Sequence, residues 1–213
     1  MKVSSNNCIF PYHWNVDEKE RDVTCIRVYG IDVNNKTSCL RIDDFTPYVY
    51  IELPTNIEWT PSKAQLVGNK IDEILGNKRP IKKVLMNKKK LYGAHINTHD
   101  GSRKLFPFLF CSFSNENDAK ALGYRLRNSI HVVGCGAIKL KIHEGDASPV
   151  LQLTCCRNIS TAGWVKFSGK EQLGEDKLTL CDTEYVVKWK HLAPHDSDIL
   201  PKPRIMGFDI EVN

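Results

Sequence analysis

At 213 residues, with 41% hydrophobic and 26% charged content, the chain has room for one large domain or two small ones and no low-complexity stretch that would mark a disordered protein. A net charge of +5 permits a polyanionic partner but falls well short of a basic tail. Residues 1–7 lack the apolar run of a secretory signal, and no stretch approaches the roughly 20 apolar residues needed to span a bilayer, so an intracellular, soluble protein with no membrane partner is expected.

Taken in chain order, Phe10, Tyr12 and Trp14 form an aromatic cluster before two β-branched runs, residues 23–30 and 37–42. The turn-rich residues 32–36 join these runs into a β-hairpin. Residues 48–53 form a further strand, ended by Pro54. Thr60-Pro61-Ser62 opens a helix with apolar positions at Ala64, Val67, Ile71, Ile74 and Leu75, closed by Gly76 and Pro80. Residues 81–92 and 104–113 are two more strands across a polar turn at 97–102. Pro107 points to an edge or irregular position for the second of them.

Asn115 is suited to cap a helix through Ala119, Leu122, Leu126 and Ile130, and residues 137–142 supply a fourth strand. The order is strand, helix, strand, strand, helix, strand: an α+β fold with a ferredoxin-like βαββαβ portion. Beyond it lie a helix at 147–157, strands at 163–167 and 183–189, an exposed polar loop at 168–178 and a proline-rich connection at 194–203. These β-rich segments flank the ferredoxin-like portion. Residues 205–212 then turn abruptly apolar.

Eight cysteines stand at positions 8, 25, 39, 111, 135, 155, 156 and 181. None makes a Cys-x-x-Cys pair, and the adjacent Cys155 and Cys156 cannot chelate in the usual way. No structural zinc is therefore expected, and the thiols are expected to act mainly as small core residues.

Three features can carry chemistry. Asp209 and Glu211 share one face of the last strand, about 7 Å apart, while Phe208, Ile210 and Val212 face a core. Two such carboxylates repel and favour a divalent cation, as in two-metal phosphodiester cleavage. An edge strand bearing two solvated acids would show the same short pattern. The second feature is basic: Lys78 and Arg79, then Lys82, Lys83, Lys88, Lys89 and Lys90, which suit phosphate contacts or a solvated strand face. The third is Phe106, Phe108 and Phe110, alternating onto one strand face with Tyr48 and Tyr50 available beside them. That face suits base stacking, or packing against a core or a second domain.

Several stretches together resemble family B DNA polymerases, especially the delta-like enzymes of eukaryotes and large DNA viruses. They are Arg27-Val28-Tyr29-Gly30, Asp43-Asp44-Phe45-Thr46-Pro47-Tyr48-Val49-Tyr50-Ile51 and Lys139-Leu140-Lys141-Ile142-His143-Glu144. Asn158-Ile159-Ser160-Thr161-Ala162-Gly163-Trp164-Val165 and Met206-Gly207-Phe208-Asp209-Ile210-Glu211 complete the set, in the order that family shows.

The resemblance implies that residues 1–203 form the polymerase N-terminal domain. Residues 204–213 would begin the 3′–5′ exonuclease domain with the first strand of its RNase H-like sheet. Asp209 and Glu211 become catalytic metal ligands of a two-metal site for Mg2+ or Mn2+, half of which this chain holds. The implied partners are template and primer DNA, the remainder of the polymerase polypeptide, and a sliding clamp reached through parts not in this sequence. The implied location is the nucleus or a cytoplasmic viral replication site. The chain by itself is expected neither to polymerise nor to degrade DNA. Two other readings stay open on the sequence: a stand-alone ferredoxin-like module binding single-stranded nucleic acid, and a nonenzymatic scaffold.

Overall fold

The structure is a computed structural model, and it describes residues 7–17, 23–90, 96–97 and 99–203. In chain order it contains β1 (Asn7–Asp17), β2 (Cys25–Asp32), β3 (Thr37–Ile42), β4 (Tyr48–Glu52), α1 (Pro61–Leu75), β5 (Lys82–Lys89) and β6 (Leu105–Ser112). There follow α2 (Glu116–Arg125), β7 (Ile130–Val132), β8 (Gly136–Ile138), β9 (Lys141–His143), α3 (Pro149–Arg157), β10 (Val165–Glu171) and β11 (Thr183–Pro194). The fold is α+β and strand-rich. It divides into two compact units: one takes in Met1–Asp17, Cys25–Phe45 and Leu153–Asn213, the other Glu18–Thr24 and Thr46–Gln152.

In the first unit β1, β10, β11, β3 and β2 close into a barrel. Neighbouring strands are antiparallel except β3 and β11, which run parallel with Ser38 opposite Thr183 and Arg41 opposite Val186. The buried residues Ile26, Val28, Leu40, Ile42, Val165, Phe167 and Leu192 alternate with more exposed neighbours along these strands. Gly30 lets β1 and β2 approach: a Cβ there would lie 2.4 Å from the Phe10 carbonyl oxygen and 2.6 Å from Ile9 Cγ1. The β1–β2 register slips close by, between Pro11 and His13. Gly169 plays the same part against the Val186 carbonyl, at 2.6 Å, where the β10–β11 register shifts.

Polar groups fasten the parallel joint. Asp182 accepts hydrogen bonds from the Thr37 amide at 2.8 Å and its hydroxyl at 2.7 Å, while the Asp182 amide donates to Thr37 Oγ1. Ser38 Oγ and Thr183 Oγ1 are 2.6 Å apart. Glu184 is buried, and its Oε2 accepts from the amides of Leu178 and Thr179 while Oε1 lies 4.0 Å from Arg41. A buried carboxylate is tolerable because these groups replace the water it loses.

In the second unit β5, β6, β4 and β9 form an antiparallel sheet in that order, and β7 and β8 form a separate hairpin. Helix α1 starts where the sequence requires. Thr60 Oγ1 accepts from the Lys63 amide at 3.3 Å, Pro61 opens the first turn, and Ala64, Val67, Ile71 and Leu75 are buried at three- and four-residue spacing. Gly76, with φ +60, follows its last turn. Asn115 Oδ1 likewise accepts from the Asp118 amide to cap α2. The buried Gln152 brackets the start of β4, accepting from the Tyr48 amide at 3.1 Å and donating to its carbonyl at 2.7 Å.

Several sequence expectations change. Helix α2 stops at Arg125, and Ile130 instead opens β7, pairing with Ile138. The fourth strand of the sheet is the short β9, not residues 137–142, whose first part belongs to the β7–β8 hairpin. Strand β6 is internal despite Pro107. The Pro107 carbonyl accepts from the Leu53 amide, so the missing N–H faces the rung beyond the end of β4 and breaks no ladder bond. Residues 168–171 continue β10 rather than opening a loop, and β11 runs through Pro194. Of the eight cysteines only Cys39 and Cys111 are buried, and burial pushes each thiol up to about 12; Cys155 and Cys156 are exposed on α3.

Gly30→Ala is expected to destabilise the chain by about 1–3 kcal/mol, because the methyl must displace the Phe10 carbonyl or the Ile9 side chain. Urea unfolding of the variant measures this, and an unchanged midpoint would show that the two strands have slack.

Candidate nucleic-acid interface

The two faces of the β5-β6-β4-β9 sheet differ because side chains alternate along each strand. Val49 and Ile51 of β4 and Leu109 and Cys111 of β6 point to one face, in a core cluster with Val67, Ile71 and Leu122 from the helices. Residues directly opposite in an antiparallel pair share a face. Tyr50 is opposite both Phe110 and His143, Glu52 is opposite Phe108 and Lys141, and Lys88 is opposite Phe106. The second face is therefore aromatic and basic. Its rings interlock, with Tyr48–Phe110 and Tyr50–Phe110 centroids each 5.4 Å apart and Tyr50–Phe108 at 6.3 Å.

The sheet divides the lysine run. Lys82, opposite Ser112, and Lys88 stand on the aromatic face. Lys83 and Lys89 stand on the other. Lys83 donates to the Gly68 carbonyl at 3.2 Å and pairs with Asp72, both on α1, so it fastens strand to helix. On the aromatic face the cations sit on rings: Lys88 Nζ is 3.8 Å from the Tyr50 centroid, and Lys90 Nζ is 4.0 Å from that of Phe106.

Glu52 links the face together. One carboxylate oxygen binds Lys90, the other meets His143 Nε2 at 2.8 Å, and the His143 ring packs edge-on to Phe108 at 5.5 Å. Burial opposes the charge of Glu52, but the hydrogen bonds from Lys90 and His143 outweigh it and hold the carboxyl below its ordinary range. Sequence reading reached the lysines and the phenylalanines but missed Glu52, His143 and Lys141. The i, i+2 step from Tyr50 to Glu52 was the available signal for the first of these.

Asp209 and Glu211 lie outside the described residues. Among the described residues no group of three or more His, Cys, Asp or Glu side chains is arranged to hold a metal ion. No helix among them is long and apolar enough to cross a membrane.

The sheet face is basic and aromatic, and comparison with known proteins places the chain beside sequences of known kind. The model of the family B DNA polymerase exonuclease domain matches residues 140–213. DNA polymerase 037L of Invertebrate iridescent virus 6 is 35% identical over 229 residues, covering 96% of this chain and 18% of that protein. DNA polymerase 120R of Invertebrate iridescent virus 3 is 34% identical over 227 residues, covering 99% of this chain and 20% of that protein. The solved family B DNA polymerase of the hyperthermophilic archaeon Pyrobaculum calidifontis matches in fold with a TM-score of 0.60 at 16% identity, covering 92% of this chain and 21% of that one. The chain is similar over nearly its whole length to the DNA polymerases of these iridescent viruses, and over residues 140–213 to the family B exonuclease domain. It spans about a fifth of the length of the relatives it matches.

A carboxyl whose pKa is depressed by folding adds stability above its unfolded value and loses it as pH falls through the folded one. Glu52→Gln is therefore expected to unfold more easily than the parent at neutral pH, with the gap closing in acid below the ordinary glutamate range. Denaturant unfolding at a series of pH values checks this, and a gap independent of pH would remove the charge from the account.

Proposed function

We propose that this chain is the N-terminal part of a replicative DNA-directed DNA polymerase of family B with 3′–5′ proofreading exonuclease activity. The observation that carries the reading is the exonuclease-domain match over residues 140–213, which takes in Asp209 and Glu211, within a similarity that covers 96% of the chain. Asp209 and Glu211 are the first carboxylate pair of the exonuclease, residues 204–213 begin that domain, and the reading assigns them to an RNase H-like sheet, although they lie outside the described residues. Residues 1–203 are the N-terminal domain. Two hard carboxylates at i and i+2 suit Mg2+ or Mn2+. Such ions would supply an activated water and stabilise the leaving oxygen.

The order β5-β6-β4-β9, with every neighbouring pair antiparallel, supports a ferredoxin-like arrangement for the second unit. The five-stranded closed barrel, parallel only at β3–β11, supports a relationship to the oligonucleotide-binding barrels. The partners of the whole protein are template and primer DNA, the remaining polymerase polypeptide and, through other parts, a sliding clamp. Within this chain Lys82, Lys88 and Lys90 contribute nucleic-acid contacts, Lys89 stands on the opposite sheet face, and Lys83 serves the fold. The site of action is a nucleus or a viral replication site.

The test has two arms. The purified chain with Mg2+ or Mn2+ is expected to release no nucleotide from a mismatched primer end. In a polypeptide continuing through the palm, Asp209→Ala or Glu211→Ala is expected to lower that release by at least about a hundredfold and leave primer extension intact. Undiminished proofreading in both variants would sink the assignment.

A further inference from the structure

We propose that the aromatic face of the β5-β6-β4-β9 sheet engages single-stranded DNA through its sugar–phosphate backbone and not by base stacking, with Glu52 acting as an internal counter-ion that competes with phosphate for Lys90. The inference rests on the reading of this chain as a nucleic-acid-binding part of a polymerase, and it names what that surface grips.

A row of aromatic side chains on an open sheet invites a stacking role, because every base has a flat face to lay on a ring. Here the rings are otherwise engaged. Lys88 Nζ covers Tyr50 and Lys90 Nζ covers Phe106, each within 4.0 Å of the centroid. Phe108 is 5% exposed, and Tyr48, Tyr50 and Phe110 turn edges or tilted faces to one another. What the face offers outward is charge. Lys82 and Lys141 are exposed on it, Lys88 is half-buried, and Lys90 completes the set.

Against these four lysines the strand positions of that face carry one carboxylate, Glu52, bound to Lys90 and His143. Rings beneath ammonium groups hold flexible lysine stems in place, which lowers the entropy lost when each meets a phosphate. A phosphate approaching Lys90 must displace Glu52. Excess positive charge with capped rings fits a polyanionic strand read without regard to base.

The experiment measures binding of the 213-residue chain to fluorescent single-stranded oligonucleotides across a salt series. One oligonucleotide is oligo-dT and the other is an abasic deoxyribose-phosphate strand of equal length. The two are expected to bind within about twofold, with a log–log salt slope near −2, as about three neutralised phosphates require on a single strand. Lys88→Ala is expected to make the slope shallower by about 0.7, and Glu52→Gln to steepen it by about 0.7 while tightening binding severalfold.

A tenfold or greater loss on the abasic strand would overturn the inference in favour of stacking and leave the nucleic-acid reading standing. Unchanged or weaker binding by Glu52→Gln, with its fold verified by circular dichroism, would overturn the counter-ion role. Failure of either strand to bind at low salt would overturn the nucleic-acid reading of this face and the inference with it.

Discussion

The barrel exists only because β3 and β11 meet side by side, and these strands are separated by most of the chain. Bringing residues 38–41 to residues 183–186 has an entropic cost that grows slowly with the length between them, and it is lower when the intervening residues fold as a unit. Residues 46–152 do so. What secures the joint is polar: Thr37 and Asp182 exchange three hydrogen bonds, and the buried Glu184 gathers the amides of Leu178 and Thr179 that lead into β11. Apolar packing alone would leave those amides without partners. The remaining strand pairs of the barrel are antiparallel, and their two register shifts fall beside the close approaches at Gly30 and Gly169.

The sheet of the second unit follows a different economy. Its helix-facing side is a conventional aliphatic core, whereas its other side interleaves rings and cations around a single acid. Such an arrangement keeps aromatic surface stable without a second layer of helices, because each ring is edged by another ring or capped by an ammonium group. It also ties basic charge to the backbone through short-range contacts, so the positions of the charges are set by the pleat of the sheet.

How much of this is legible in the sequence depends on whether the deciding contacts are local. Helix α1 is, because Thr60, Pro61, the apolar spacing and Gly76 all act within one element. Helix α2 misleads because Leu126 and Ile130 continue a helical period, yet Ile130 gains more from pairing with Ile138. Strand β1 does carry a period-two alternation in Phe10, Tyr12, Trp14 and Val16, but Pro11 inside the run argues against a strand, and its pairing with β2 and β10 decides the matter. The lysine run shows basic character at once, but which lysines share a face with the rings requires the β5–β6 register. The barrel is invisible because its closing pair lies far apart in the chain. Asp209 and Glu211 lie outside the described residues, so they rest on a two-residue pattern and on the resemblance that gives it weight.

The thiols have a consequence of their own. Cys39 and Cys111 are buried and held protonated far above neutrality, whereas Cys155 and Cys156 stand exposed on α3. Since the thiolate is the nucleophile, an alkylating reagent meets Cys155 and Cys156 in the open, the half-buried Cys8, Cys25, Cys135 and Cys181 less readily, and is shut out from Cys39 and Cys111. Cys39 lies in the barrel and Cys111 in the sheet core, so each becomes reactive only when its own unit opens. The chain thus carries one chemical clock for each half of its fold, readable as the mass each buried thiol gains from the reagent.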